Sequence, residues 1–351
     1  MEFAFSEEQR MIADTARAFF VENATSERTR AAMAGDGIDR TLWQAFCGEL
    51  GLGGVGIPED LGGVGLGMVE LAILAECAGA TVAALPLLGH VMATRALAIA
   101  GSEEQCAEWL PRLIAGEAVA AFATADDVAE AGNMLSLAAD FVPHGASADL
   151  FVIASGDRAW WVEAGGPGVS VTPHVTMDQT RPLATLALTE AAAQELPRGA
   201  EALAAAKRAG LVVLAAEALG GAQEALDRTV AYAKERIQFG RPIGSFQAYK
   251  HRLADMMVEI EQARSAVYWA ACALDEGSDE AELALHAAKS FCADTFFMCA
   301  ANMIQLHGGI GFTWEHDTHL FFKRARSIQT LLGTSAWHRE QVARIMLGAA
   351  A

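Results

Sequence analysis

The sequence predicts an α+β fold that is mainly α, with an N-terminal helical domain, a small middle β domain and a C-terminal four-helix bundle. Apolar residues recur at helical spacing in the first and last parts of the chain. Between them, short β-branched or aromatic runs are separated by glycine and proline. We place the domains at residues 1–119, 120–196 and 197–351, since a chain of 351 residues is long enough for two or three domains.

The N-terminal domain opens with a helix signal. Ser6 precedes Glu7 and Glu8, and these acids would stand near the positive end of the helix dipole. One face of this helix would be apolar and would hold Ile12, Ala16, Phe19 and Phe20. Residues 81–101 are mostly apolar, but a proline, a histidine and an arginine interrupt them. We therefore predict a buried core helix there and not a membrane span.

The other two domains are read from longer patterns. Four runs at residues 150–154, 159–162, 169–172 and 183–188 predict a small antiparallel sheet or barrel. Four helical patterns at residues 200–234, 245–274, 281–306 and 335–347 suit a bundle of antiparallel helices. The second of these helices would present one face made of Phe246, Tyr249, Leu253, Met256, Met257, Ile260, Ala263 and Val267.

The charge of the chain excludes some partners. Lys and Arg number 25 and Asp and Glu number 44, which gives a net charge of −19. This charge repels phosphate backbones and anionic membranes, so we expect neither nucleic acid nor membrane as a partner. A local basic pocket can still bind an anionic ligand. The acidic N-terminus lacks the basic start of a signal peptide, and the six scattered cysteines favour a reducing compartment, so we expect a cytoplasmic protein.

The first segment with chemical potential is residues 236–247, which reads RIQFGRPIGSFQ. Arg236 would follow a long helix, and an arginine suits phosphate because its planar fork donates paired, charge-assisted hydrogen bonds. Gln247 would lie in the first turn of the next helix, where the helix dipole also favours anions. The alternative is a basic helix end followed by a turn.

The second segment is residues 305–312, which reads QLHGGIGF. Glycines allow the backbone to approach a ligand closely and to offer its N–H donors. GGxG alone is weak evidence, because loops between helices use glycine in any case. Two such segments separated by two helix patterns are more specific.

These segments resemble the acyl-CoA dehydrogenase family. The RxxFG…FQ and QxxGGxG motifs match that family, and so do Ser6–Arg10, Ile57–Gly63 and Gly101–Leu113. The resemblance covers essentially the full chain and implies the three-domain fold predicted above. It also implies an FAD-dependent α,β-desaturation of an acyl-CoA. In that reaction a carboxylate removes the α-proton while the β-hydrogen leaves as hydride to FAD.

The resemblance further implies a role for the two motifs. In the family they reach across a dimer interface and hold the adenosine-pyrophosphate part of FAD bound to the neighbouring subunit. The cofactor-binding residues implied here are Arg236, Phe239, Phe246, Gln247, Gln305, Gly308, Gly309 and Thr334.

The chain departs from the family pattern at the catalytic base. The usual base is the glutamate of a Y-E-G-T motif, and here Leu332 stands at that position within Leu331–Thr334. The other position used in the family corresponds to Gly210. Neither residue can accept a proton, so no catalytic residue is predicted. No metal site is predicted either, although residues 314–319 are rich in metal-ligand types.

The loops that would face the flavin ring also depart from the pattern. The family's T-E-P-x-x-G-S-D is reduced to Thr124–Asp127, and its W-I-T-N-G is replaced by Phe141–Gly145. Pro143 has neither an N–H nor a hydroxyl, so a hydrogen bond to the flavin ring is lost. The connection between the two loops is short, which would trim the middle domain.

The motifs for a neighbour's FAD are thus retained, while the base and the flavin-facing loops depart from the family pattern. This combination resembles the non-catalytic subunit of heterotetrameric acyl-CoA dehydrogenases of bacterial steroid side-chain breakdown. The expected partners are an acyl-CoA substrate and a homologous acyl-CoA dehydrogenase subunit, with a homotetramer as the alternative. A second hypothesis is an autonomous dehydrogenase whose base is displaced to Glu201 or Glu217. A third is a non-redox protein that binds acyl-CoA or acts as a scaffold.

The basic run of residues 323–326 would form ion pairs or contact a CoA or FAD phosphate.

Overall fold

A computed structural model describes residues 5–348 of the chain. These residues form two compact units. The first unit comprises the residues up to 26, residues 72–83 and the residues from 211 onward, and the second comprises residues 27–71 and 84–210. The mainly helical α+β architecture is confirmed, while the division into domains at residues 1–119, 120–196 and 197–351 stays a prediction.

Helices dominate both units. They are α1 (Glu7–Asn23), α2 (Ser26–Ala34), α3 (Arg40–Gln44), α4 (Met68–Ala80), α5 (Leu87–Ala100), α6 (Glu103–Ile114), α7 (Gly199–Glu235), α8 (Gln247–Asp275), α9 (Ala281–His307), α10 (Thr318–Thr330) and α11 (Ser335–Leu347). The strands are β1 (Ala120–Thr124), β2 (Val128–Ala131), β3 (Met134–Pro143), β4 (Leu150–Ser155), β5 (Arg158–Glu163), β6 (Val169–Pro173), β7 (Leu183–Ala192), β8 (Gln194–Glu195), β9 (Ile237–Gln238) and β10 (Arg241–Pro242).

The predicted start of α1 is confirmed. The Ser6 hydroxyl accepts a hydrogen bond from the Gln9 amide at 3.1 Å, and the Gln9 side chain accepts one from the Ser6 amide at 3.0 Å. This capping box satisfies two amides that the helix itself leaves without partners. Ser102 and Gln105 repeat the arrangement at the start of α6.

The second unit contains two four-stranded sheets. Their strand orders are β1-β4-β5-β8 and β2-β3-β7-β6. The four predicted strands are present as β4, β5, β6 and β7, but β1 pairs with β4 in parallel, so the prediction of a purely antiparallel sheet was wrong. A parallel partner comes from a distant part of the chain, and no turn signal in the sequence reports it. Phe151, Ile153, Trp160 and Leu186 lie in the core of this region.

The apolar stretch of residues 81–101 contains α5, whose side chains are almost all buried, as predicted. Among the residues that the structure describes, no helix is long and apolar enough to cross a membrane. The apolar character of α5 therefore reflects its place in the protein interior.

The C-terminal helices agree with the predicted patterns to within two residues at each end, and α11 begins and ends as predicted. Two details differ. Helix α10 was not predicted as a separate helix, so α7–α11 form more than the four expected helices. The side chain of Met257 is 58% exposed, whereas Met256, Ile260 and Ala263 of the same helix are buried. Met257 therefore lies off the buried face to which it was assigned.

Two glycines allow α4 and α7 to pack in close contact within the first unit. A Cβ atom at Gly220 would collide with the Glu76 carbonyl oxygen, and one at Gly79 would collide with the Glu217 carbonyl oxygen. Both collisions are with backbone, which cannot swing aside as a side chain can. The crossing of the two helices therefore requires glycine at both positions.

We predict that Gly220→Ala destabilises the protein by about 1–3 kcal/mol, because the added methyl group forces the two helices apart. The matched control is Gly48→Ala, since Gly48 is exposed and has no atom within 4 Å of an added Cβ. Urea unfolding followed by circular dichroism measures both variants. Equal midpoints for the two variants would show that the helix crossing does not depend on Gly220.

Candidate functional site

The RxxFG segment forms a tight hairpin directly after α7. Strands β9 and β10 pair in antiparallel fashion, with Arg241 opposite Gln238. The two turn residues, Phe239 and Gly240, have φ angles of 52° and 77°. A two-residue hairpin of this type needs positive φ at both positions, which explains the glycine. A bulky residue at positive φ is unfavourable, and such strain is concentrated at functional sites.

The turn places an aromatic ring in solvent. Phe239 is 92% exposed, which is unusual for a large apolar side chain. Ile237, at the other end of the same strand, is 59% exposed. The hairpin tip therefore offers apolar surface to a ligand or to another protein chain.

A hydrogen bond joins the start of α8 to the end of α9. The hydroxyl of Tyr249 donates to the carbonyl oxygen of Leu306. Burial, together with the neighbouring Tyr232, raises the pKa of Tyr249 to about 12, so the phenol keeps its proton and remains a donor. Tyr232 near the end of α7 stacks on His307 with ring centroids 4.5 Å apart. The ends of α7 and α9 and the start of α8 thus meet at one end of the first unit.

His307 anchors the QxxGGxG loop. Its Nδ1 atom lies 2.7 Å from the carbonyl oxygen of Met303, to which it donates. Burial lowers the pKa of His307, so the ring is neutral at physiological pH. The chain then turns at Gly308, whose φ is 64°, and added Cβ atoms at Gly308 and Gly309 would meet no atom within 4 Å. The backbone of this loop is therefore open to an approaching ligand.

The structure brings together all but one of the predicted cofactor-binding residues. Those at the common end of α7, α8 and α9 are Arg236, Phe239, Phe246, Gln247, Gln305, Gly308 and Gly309. Gln247 lies in the first turn of α8, as predicted. No side chain forms a capping hydrogen bond at the start of this helix, and its first turn contains no acidic residue. Arg236, Gln247 and Gln305 are exposed.

Thr334 lies elsewhere. It is the N-cap of α11, where its hydroxyl accepts a hydrogen bond from the Trp337 amide at 3.3 Å. The preceding residue, Gly333, receives the Lys289 ammonium on its carbonyl oxygen at 3.3 Å. Lys289 and Gln305 both lie on α9, about 24 Å apart along the helix axis at 1.5 Å per residue. Thr334 is therefore separated from the other predicted residues, and its cofactor role stays a prediction.

The residue at the family's base position is held by buried donors. Leu332 has a φ of 54°, and its carbonyl oxygen lies 3.1 Å from Nε2 of the fully buried His338. A carbonyl only accepts, so this nitrogen carries the proton, and Nδ1 of His338 accepts from Nδ1 of His286 at 2.8 Å. The loop keeps its backbone shape, but the leucine side chain has no acid–base capacity. Gly210, the second base position, is a buried residue of α7.

The two proposed displaced bases have other partners. Glu217 is 3% exposed and forms an ion pair with the equally buried Arg324 at 3.5 Å. Glu201 is exposed and lies 3.7 Å from Arg198. A buried carboxylate that is paired with a guanidinium is poorly suited to accept a proton from substrate. The basic run of residues 323–326 is partly explained by the same ion pair.

The loops that correspond to flavin-facing segments lie in the second unit. Phe141 has a φ of 59° in an irregular part of the β3–β7 ladder, and its ring is 62% exposed. Pro143 ends β3, and His144 follows it with a φ of 55°. Pro143, which has no N–H to donate, therefore lies at the end of a strand, next to this irregular part of the ladder.

The histidines of residues 314–319 make other contacts. The ring of His319 stacks on Trp314 with centroids 4.5 Å apart, and the Lys323 ammonium lies 4.5 Å from the centroid of the Trp314 ring. Within residues 5–348, no group of three or more metal-ligand side chains could hold a metal ion. The segment is a surface cluster at the start of α10.

Sequence reasoning missed the supports of the site. Tyr232, Tyr249 and His307 fix the three helix ends, and their signal in the sequence was the presence of these residues within a few positions of each motif. It also gave no role to Arg241, whose guanidinium carbon lies 4.0 Å from the centroid of the Phe246 ring. The arginine that directly follows FG was the available signal.

We predict that Glu217→Gln lowers the free energy of unfolding by about 3–5 kcal/mol, because it leaves Arg324 buried without its counter-charge. The matched control Glu201→Gln changes an exposed pair and should cost less than about 1 kcal/mol. Urea unfolding measures both. If Glu217→Gln abolished desaturation at unchanged stability, Glu217 would be a catalytic base.

We predict that His338 makes the protein less stable below about pH 6.5. Burial, then Lys289 and His286, lower the pKa of His338 to about 3. An unfolded histidine has a pKa of about 6.5, so between these values the unfolded chain binds a proton that the folded chain excludes. This one group should reduce the free energy of unfolding by about 1.4 kcal/mol per pH unit.

His338→Gln tests this effect, since a glutamine amide can still donate to the Leu332 carbonyl. Thermal unfolding between pH 7 and pH 5 should show a smaller loss of stability in the variant than in the unmodified protein. His90, His286 and His307, whose pKa values burial also lowers, remain in both proteins and contribute to the residual slope. Identical slopes would mean that His338 titrates normally.

The chain matches two family models and several known proteins. The model of the acyl-CoA dehydrogenase N-terminal domain matches residues 6–117, and that of the C-terminal domain matches residues 185–347. Acyl-CoA dehydrogenase IpdE2 of Mycobacterium tuberculosis is 39% identical over 328 residues, which cover 93% of each chain.

Two solved structures are similar over nearly their full length. A variant of the Tcur3481–Tcur3483 steroid ACAD has a TM-score of 0.90 at 32% identity and covers 98% of this chain and 99% of its own. The ChsE4–ChsE5 complex from Mycobacterium tuberculosis has a TM-score of 0.92 at 27% identity and covers all of both chains.

A glutaryl-CoA dehydrogenase from Mycobacterium smegmatis in complex with FADH2 has the same fold, with a TM-score of 0.88 at 22% identity and 99% and 96% coverage. The predicted resemblance to a flavin-dependent family is thus confirmed, and the chain belongs to the acyl-CoA dehydrogenase family.

Proposed function

We propose that this chain is a subunit of an enzyme that desaturates an acyl-CoA thioester between its α and β carbons. In this role it contributes the adenosine-pyrophosphate half-site for FAD to a homologous catalytic subunit. The observation that carries the proposal is the contrast between two sites. The anion-binding motifs converge at one exposed helix end, while both family base positions, Leu332 and Gly210, lack a carboxylate.

The residues at the helix ends fit the pyrophosphate half of FAD. Arg236 is exposed and supplies a planar, charge-assisted donor. Gln247 opens a 29-residue helix that has no acid in its first turn, so the helix dipole favours an anion there. Gly308 and Gly309 leave the backbone of the neighbouring loop accessible. Phe239 adds an exposed aromatic face at the same end of the unit.

The residues of the second unit do not fit the flavin ring in the same way. Pro143 cannot donate a hydrogen bond from its backbone or its side chain. The loop 124–127 retains Thr124 but lacks the glycine and serine of the family pattern. This supports a division of labour in which the partner supplies the pocket for the ring.

In the assembled enzyme, FAD held at this site would supply the acceptor for the hydride that leaves the β carbon of the substrate. The residues of this chain bind and orient. Arg236 neutralises phosphate charge, and Gln247 and the amides of residues 308 and 309 offer further hydrogen-bond donors. Phe239 excludes water at the edge of the site. The base that takes the α-proton comes from the partner, because a well-placed base contributes about 10²–10⁴ in rate and this chain has none at either family position.

The comparisons support a hetero-oligomer and a substrate class. The Tcur3481–Tcur3483 and ChsE4–ChsE5 structures are each named for two proteins, and the first is called a steroid ACAD. We propose a homologous subunit as the partner and a ring-bearing acyl-CoA as the substrate. A homotetramer remains the alternative assembly.

Two other functions receive less support. An autonomous dehydrogenase needs a displaced base, but Glu217 is engaged by Arg324 and Glu201 by Arg198. A non-redox scaffold would have no use for the converging arginine, glutamine and glycine motifs.

We predict that the chain expressed alone binds little FAD and does not oxidise an acyl-CoA, whereas the chain co-expressed with a homologous dehydrogenase yields an active flavoprotein. Flavin absorbance and an acyl-CoA oxidation assay measure the difference. Stoichiometric FAD and turnover by the chain alone would contradict the proposal and favour the autonomous enzyme.

We predict that Arg236→Ala weakens FAD binding in the complex by about 10–100-fold, the value of a hydrogen bond to a charged group. The matched control is Arg17→Ala, which removes the same charge from an exposed position on α1. Flavin fluorescence on titration of the flavin-depleted complex gives the dissociation constants. No change in Arg236→Ala would instead favour the scaffold function.

A further inference from the structure

Two arginines lie on one face of the β9–β10 hairpin. Arg241 pairs with Gln238, and the amide of Ile243 donates to the carbonyl of Arg236 at 2.8 Å, so the ladder continues to Arg236. Because successive side chains alternate between faces, Arg236, Gln238 and Arg241 share one face. Arg236 and Arg241 are diagonal neighbours on this face, a position in which Cα atoms are about 7–8 Å apart.

Neither guanidinium has a counter-charge in the part of the chain that the structure describes. No carboxylate between residues 5 and 348 forms an ion pair with Arg236 or Arg241. In contrast, Arg228 on α7 binds Glu224 at 2.6 Å and Asp317 at 3.3 Å. In a chain with a net charge of −19, two adjacent arginines without acids form a local positive site. Like charges this close destabilise the hairpin until an anion binds between them.

Arg241 is held in a defined position. Its guanidinium carbon lies 4.0 Å from the centroid of the Phe246 ring, a cation–π contact. Phe246 in turn meets Phe239 edge to face, with centroids 6.2 Å apart, and immediately precedes Gln247. Within residues 5–348, the guanidinium N–H groups of Arg241 donate to no acceptor, so they are available to a ligand. Such groups donate paired hydrogen bonds to phosphate.

We propose that Arg241 is a second anion-binding residue of this site, and that Arg236 and Arg241 together bind the two phosphates of the dinucleotide held by the partner subunit. This inference rests on the proposed function and names the charge arrangement that the site selects, a pyrophosphate with two adjacent negative groups. A ligand of this kind replaces repulsion between the arginines with attraction to both. Arg241 therefore stabilises the ligand-bound complex and not the free chain.

The test uses the full chain in complex with its homologous subunit. Arg241→Ala removes the guanidinium, and Arg241→Lys keeps the charge over Phe246 but loses the planar fork. Arg236→Ala reports on the proposed function, and Arg17→Ala is the matched control. FAD and FMN are titrated into each flavin-depleted complex, since FMN lacks the pyrophosphate link and the adenosine. Melting temperatures of each chain alone are also measured.

We expect Arg241→Ala to weaken FAD binding by about 10–100-fold, with a smaller loss for Arg241→Lys and no change for FMN. The melting temperature of the chain alone should change little, because the repulsion between the two arginines and the cation–π contact of Arg241 with Phe246 are lost together. A purely structural Arg241 would instead lower that temperature and affect FAD and FMN alike, which would overturn the inference.

The two arginine variants distinguish a failure of the inference about Arg241 from a failure of the proposed function. If Arg236→Ala loses FAD and Arg241→Ala matches Arg17→Ala, the further inference is wrong and the proposed function stands. If neither arginine affects FAD, the proposed function is wrong as well.

Discussion

The hydrogen bond from the Tyr249 hydroxyl to the Leu306 carbonyl is the interaction on which the candidate site depends. It joins the first turn of α8 to the last turn of α9, and the stacked rings of Tyr232 and His307 add the end of α7. The two motifs are about 60 residues apart in the chain, and each alone is an ordinary helix boundary. This junction brings the two motifs together into one site. Because burial holds the tyrosine in its protonated form and the histidine in its neutral form, the junction persists across the physiological pH range.

The distribution of buried charge separates structure from function in this chain. Glu76 accepts from Arg264 at 2.5 Å and from the Tyr268 hydroxyl at 2.5 Å, and Glu217 pairs with Arg324. Both acids lie where α4 and α7 cross through glycine contacts, so their charges are fixed by packing and satisfied within the protein. The arginines of the β9–β10 hairpin have no such acids. Charge that is compensated inside the fold stabilises it, and charge left uncompensated at the surface is available to a ligand.

Much of the fold could be predicted because helical periodicity and capping are local signals. The helix start predicted at Ser6 is present, and α11 has the predicted bounds. The parallel pairing of β1 with β4 depends on a long-range contact, and the amphipathic α10 follows a loop whose aromatic and histidine content obscured its start. At the site, the sequence predicted a set of cofactor-binding residues but not that Thr334 is separated from the others. That separation follows from the position of Lys289 along α9, which only the packed helices reveal.

The loop at Leu332 has a defined backbone shape that does not depend on an acidic side chain. Leu332 retains a left-handed backbone although leucine disfavours it, because His338 donates to its carbonyl and Lys289 donates to the carbonyl of Gly333. Both donors are fully buried, so these hydrogen bonds face no competition from water. Hydrogen bonds from these two buried donors therefore hold the backbone shape of the loop, which does not depend on a carboxylate at position 332. A leucine at this position is therefore compatible with the start of α11, whose N-cap hydrogen bond is made by Thr334.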